Sequence, residues 1–153
     1  MSRAEKAKQY FLNGYACSQS VALAFSDLVD IDESTLKKLT LPLGGGLGRL
    51  RLTCGAVNGI GIIIGLLFGK DECDEDNKIY VYNIIQEVVG NFIKEKETTD
   101  CKKLLENAKL EVEVKGVPEK RTEEYYKKRP CGKVVYQAAK ILEDYLIEKN
   151  IIK

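Results

Sequence analysis

The chain contains no histidine and no tryptophan, one methionine and three prolines among its 153 residues. The missing histidine excludes the most. Ser-His-Asp and Cys-His nucleophile pairs are ruled out, and so are HExxH zinc sites and CxxCH haem attachment. Any metal site must rely on sulfur or carboxylate. Any proton shuttle near neutral pH must be a perturbed cysteine, carboxylate or lysine. An excess of charge is also missing: 24 basic and 23 acidic side chains leave a formal net charge of +1. That balance argues against nucleic acid as a partner, because there is no surplus to displace phosphate counterions. No long hydrophobic run is present. The stretch from Ile60 to Phe68 is broken by Gly61 and Gly65 and falls short of the ~20 residues that span a bilayer. Ser2 to Asn13 is charged and amphipathic, unlike a signal peptide. The expected address is therefore the cytoplasm, where cysteines more often bind metal or do redox work than form disulfides.

What the chain does have is five cysteines and 13 glycines. The stretch that organises the rest runs from Gly44 to Gly59: a glycine cluster, Arg49, Arg51, then Thr53 and Cys54. Thr53 is a suitable N-cap. That would place Cys54 in the first turn of a helix, where free amides and the helix dipole favour negative charge. Helix N-termini can lower a thiol pKa into a range of roughly 3.5–7.5, so Cys54 is expected to be a reactive thiolate.

Helical spacing of apolar residues predicts a first helix over Ala4–Leu12, stopped at Asn13-Gly14. A second runs from Cys17 to about Val29, and a short third carries Leu36, Leu39 and Leu41 to Pro42. The Cys54 helix is apolar nearly all round and is expected to be the buried central one. Its interior glycines cost about 1 kcal/mol each and permit a close neighbour. A long helix from about Asp74 to Lys96 presents Ile79, Tyr82, Ile85, Val89 and Phe92 as its inner stripe. Thr98-Thr99-Asp100 caps a short helix starting at Cys101, residues 110–118 read as an extended loop or short strand, and Cys131 opens the last helix. The expectation is one all-α domain over residues 1–153, a compact bundle of about six to seven helices around a glycine-rich central helix.

Cys17, Cys54, Cys101 and Cys131 thus each fall at a helix start. If these starts converge, their amides form a positive pocket that stabilises several thiolates or an anionic cluster. The separations, with 36, 46 and 29 residues between successive members, carry no local CxxC fingerprint and leave zinc, iron–sulfur and disulfide open. The competing structural reading is four buried small hydrophobes. Cys73 stands in an acidic loop and is read as outside the group. Gly46, Gly48, Arg49, Gly55 and Gly59 are the candidates for contact with a bound group, and Arg49 and Arg51 otherwise read as a surface pair closing a turn. Neither GxGxxG nor GxxxxGK fits the glycines, so a phosphate loop is not expected. Tyr125-Tyr126 among lysines reads as a solvated helix edge rather than an RNA-stacking platform.

Gly14-Tyr15-Ala16-Cys17, the Gly44–Arg49 cluster, Cys54-Gly55-Ala56-Val57-Asn58-Gly59, Cys101 and Pro130-Cys131 together resemble the C_GCAxxG_C_C family of redox-active proteins. The resemblance covers nearly the whole chain and places the family's cysteines on Cys17, Cys54, Cys101 and Cys131. It implies a small helical protein with a redox role, of prokaryotic and often anaerobic type. A related domain occurs in split-Soret type cytochromes, whose haem-carrying residues are absent here. On this reading the four cysteines are the catalytic or metal-ligating residues of an oxidoreductase or electron carrier, holding an iron–sulfur cluster or another thiolate-bound metal. A dithiol–disulfide protein with Cys54 as nucleophile is the first alternative, and a helical module with structural cysteines the second. The redox partner stays unidentified and a homodimer stays open.

Overall fold

Five helix starts follow directly from side-chain caps. Ser2, Asp32, Asp74, Asp100 and Thr122 each accept a hydrogen bond from the backbone amide three residues on, satisfying a donor that the first turn would leave free. They open α1 (Arg3–Leu12), α3 (Glu33–Thr40), α5 (Glu75–Lys96), α6 (Cys101–Asn107) and α7 (Glu123–Lys128). Uncapped by side chains are α2 (Cys17–Leu23), α4 (Gly55–Phe68) and α8 (Cys131–Glu148) except for Gln19, which reaches back to the Ala16 amide. The computed structural model describes residues 1–153, is 67% helical and contains no strand. One isolated antiparallel bridge joins Thr53 and Asp100.

Helix α4 packs on α2, and α1 packs on both α2 and α8, while α5 lies across α4 and α8. The side chains of Phe11, Phe25, Phe92, Ile60, Ile63, Ile64, Leu142 and Leu146 are fully buried in one contiguous core. Each such burial stabilises by about 1.5–3 kcal/mol. Gly59 permits the α2–α4 contact: a Cβ there would stand 2.8 Å from the Ser18 carbonyl oxygen and 3.1 Å from the Val21 Cβ.

The all-α expectation holds, with eight α-helices where six to seven were expected. The second helix stops at Leu23, and a 3-10 turn over Ser26–Leu28 replaces its predicted end. In α3 only Leu36 and Thr40 are buried, and Leu39 and Leu41 are exposed. Residues 110–118 form no strand. The larger correction concerns α5. Its inner stripe is Ile84, Val88 and Phe92, whereas Ile79 and Tyr82 face outward. The helix carries apolar residues on two faces, and periodicity alone does not say which one the core takes. The C-terminal half of α4 is likewise open on one side, at Gly65 and Leu66.

Candidate functional site

The glycine cluster is a left-handed turn. Gly45, Gly46, Leu47, Gly48, Arg49 and Arg51 all have positive φ. Glycine adopts this freely, but each of the three other residues costs about 1–2 kcal/mol. Such strain persists only where the surroundings hold it. Here it is held by the Arg51 amide donating to the Gly45 carbonyl and the Leu52 amide donating to the Gly46 carbonyl. A Cβ at Gly46 would lie 2.6 Å from the Leu52 nitrogen and 2.7 Å from the Cys101 Cβ. The turn directs Arg49 and Arg51 inward, where both are buried. Their Nε atoms donate to the carbonyls of Lys115 and Glu113 at 2.9 Å each, and the Lys115 amide donates back to the Arg49 carbonyl at 2.8 Å. Residues 110–120 are thereby strapped over the turn. The surface-pair reading of the two arginines is therefore overturned.

The helix starts meet here. The Cys54 amide donates to the Thr99 carbonyl and the Cys101 amide to the Leu52 carbonyl, both at 2.7 Å. This pins the start of α4 to the start of α6. Cys54 is itself the N-cap of α4, in place of Thr53, whose backbone is engaged in the bridge to Asp100. Gly55 lets α2 come close: a Cβ there would sit 2.5 Å from the Cys17 Sγ and 2.9 Å from the Leu43 carbonyl oxygen. Cys131 enters from the first turn of α8. Cys17, Cys54, Cys101 and Cys131 line one cavity of about 280 Å³ together with Gly44, Gly45, Gly48, Gly55 and four arginines, Arg49, Arg51, Arg121 and Arg129. Glu119 is the one acidic residue of the lining, and it pairs with Arg129. Cys73 is exposed, in the loop before α5.

Burial dominates the thiol chemistry. It holds Cys54 well above the usual thiol range, reinforced by the neighbouring Cys17 sulfur and only partly offset by the amides of Ala56 and Val57. The low-pKa nucleophile expected at Cys54 is thus corrected: the helix start contributes, but desolvation outweighs it. Cys131 is pushed up to about 12, by burial first and Cys17 second. Burial also raises Cys101, opposed by Arg51, whose Nη1 lies 3.8 Å from its Sγ. Cys17 is the common neighbour, acting on each of the other three sulfurs. No three cysteine, aspartate or glutamate side chains stand close enough together to hold a single metal ion.

Of the glycines read as contacts for a bound group, Gly48 and Gly55 line the cavity, whereas Gly46 backs Cys101 and Gly59 packs on α2. Sequence reasoning missed Arg121, Tyr125 and Arg129. Arg121 donates to the Phe11 and Tyr15 carbonyls at 3.1 and 3.2 Å and stacks on Phe11 and Tyr125 at 4.5 and 5.0 Å. Tyr126 donates its hydroxyl to the Phe11 and Leu12 carbonyls. Tyr125 lines the cavity, and both tyrosines are half-buried against the core, so the solvated-edge reading is replaced. One signal was available for Arg129: like Arg51, it stands within three residues of a helix-start cysteine.

A family model described as "Putative redox-active protein (C_GCAxxG_C_C)" matches residues 15–145. No curated protein and no solved structure matches the chain. No helix is long and apolar enough to cross a membrane.

Proposed function

The chain belongs to the C_GCAxxG_C_C family, whose members are described as redox-active, and on that footing we propose that its four-cysteine cavity binds an iron–sulfur cluster used for electron transfer. The observation that carries the reading is the lining of one cavity by four cysteines and four arginines. A single metal ion draws its thiolates to about 2.3 Å, and no three cysteine, aspartate or glutamate side chains are arranged here to hold one. A cluster spreads its cysteine ligands around an inorganic core and needs a space between them. Cys17, Cys54, Cys101 and Cys131 are the ligands on this reading, and Cys73 is not. A bound cluster would supply one-electron exchange.

The chain's own residues do the rest. Each thiol must lose its proton to ligate, so loading releases protons and is favoured at higher pH. The arginines offset the negative charge that four thiolates bring into a buried place. Arg51 donates toward the Cys101 sulfur, and such hydrogen bonds tune reduction potential. Burial weighs against the dithiol alternative, since the thiolate is the attacking species and Cys54 is held protonated.

The test is anaerobic reconstitution with ferrous iron and sulfide, read by visible absorption, for wild type and for each single Cys→Ala variant. The expected result is a charge-transfer spectrum abolished by substitution at any of the four sites and untouched by Cys73→Ala. A colourless wild type, or a spectrum that depends on Cys73, overturns the reading.

A further inference from the structure

Arg49 and Arg51 are only 7 and 6% exposed, and a buried charge is ordinarily paired. Neither has a buried carboxylate beside it. Arg49 reaches Glu113 at 3.4 Å, but the glutamate side chain is 81% exposed, and water screens such a contact. Arg51 has a carbonyl and a sulfur as its partners. Each guanidinium keeps one terminal nitrogen without a partner, Nη1 of Arg49 and Nη2 of Arg51. No side-chain nitrogen sealed within the protein lacks a partner, so these two are open, and both side chains line the cavity. They lie side by side over Gly45. A Cβ there would stand 3.1 Å from the Arg49 Cγ and 3.9 Å from the Arg51 Nη1, and glycine leaves that space empty.

We propose that this pair of arginines binds a small oxyanion in the cavity, as a free inorganic ion or as the head group of a small acid. Guanidinium forks present donors in the geometry that carboxylate, sulfate and phosphate oxygens accept. The lining sets the sign of the ligand. Four arginines face one glutamate, which Arg129 already engages, and Arg121 has only carbonyl acceptors. Size sets the class. A cavity of about 280 Å³ lies just under the roughly 300–1,000 Å³ of small-molecule sites. Leu104, Leu105 and Val134 in the same lining suit a short apolar body, which an inorganic ion lacks. The inference goes beyond the cluster and does not rest on it, because the iron-free chain holds the same arginines.

Isothermal titration calorimetry on the reduced, iron-free full chain in chloride-free buffer tests the proposal, with sodium sulfate and sodium benzoate as separate probes. One anion per chain is expected, with a Kd below about 1 mM for at least one probe. Tighter sulfate marks an inorganic ligand, and tighter benzoate an organic acid. Arg51→Gln should weaken binding at least about tenfold. Lys102→Gln with Lys103→Gln removes two exposed charges beside Cys101 and should leave affinity within about twofold. Glu119→Gln removes the one carboxylate of the lining and should tighten binding at least about threefold, a gain that damage to the fold does not produce. A wild type that binds neither probe overturns the proposal. So does an Arg51→Gln chain that binds as wild type does, an equal loss in the lysine variant, or a Glu119→Gln chain with unchanged or weaker affinity. Where Arg51→Gln does not fold, Glu119→Gln decides alone.

Discussion

Arg51 Nη1 lies 3.8 Å from the Cys101 sulfur, delivered there from a left-handed backbone at φ 59°. The same guanidinium holds the strap through the Glu113 carbonyl. No carboxylate pairs with it, so its charge is directed at the cavity. Replacing it by glutamine should raise the Cys101 thiol still further, because the opposing cation is lost and burial stays. Alkylation of the iron-free protein across a pH series, read at Cys101 by mass spectrometry, checks this. An unchanged titration would mean that the contact carries no electrostatic weight.

Gly55 and Gly65 lie on one helix and should respond in opposite directions to alanine. At Gly55 the new methyl would meet the Cys17 sulfur, the Leu43 carbonyl and the Gly44 Cα. Overpacking of that kind costs about 1–3 kcal/mol, and it should displace Cys17 and reduce iron uptake. At Gly65 a Cβ meets nothing within 4 Å, and the gain in helix propensity is about 1 kcal/mol. Urea denaturation of the two variants measures both signs.

Stability should fall on the alkaline side through Cys131. Its folded thiol is pushed up to about 12, whereas the unfolded thiol titrates near about 8.5. The folded state therefore holds the proton over a window in which the unfolded state gives it up. Its contribution is complete below about pH 8.5 and shrinks as pH rises toward the folded value. By pH 10 the loss from this group is about 2 kcal/mol. Under reducing conditions Cys131→Ala should flatten the decline in unfolding free energy between pH 7.5 and 10 relative to wild type. Parallel declines would show that the folded thiol is not shifted.

Arg121 joins the end of α1 to the start of α7. It has two carbonyl acceptors and three aromatic neighbours. Hydrogen bonds from a charged donor contribute about 1.5–3 kcal/mol. Arg121→Ala should cost about that much in urea denaturation. Lysine should recover less than half, since an ammonium cannot serve both carbonyls and stack in a plane.

Most of the helices could be read from their caps and apolar spacing. The convergence of four cysteines was legible because each stands at a helix start, where chain direction changes and neighbours meet. Three things were not. The left-handed path through Leu47, Arg49 and Arg51 depends on carbonyls 62 to 66 residues away. Tyr125 and Tyr126 look solvated in a lysine-rich stretch until Arg121 and Phe11 are beside them. The orientation of α5 was ambiguous because the helix has two apolar stripes, and the one on Tyr82 stays outside. The thiol chemistry was misjudged for a related reason: a helix start is visible in sequence, and the burial that outweighs it at Cys54 is not.

The most direct measurement is iron and acid-labile sulfide per chain in anaerobically reconstituted protein carrying Cys73→Ala. A cluster held by Cys17, Cys54, Cys101 and Cys131 predicts both elements in equal and stoichiometric amounts. Iron without sulfide, or neither, would contradict it.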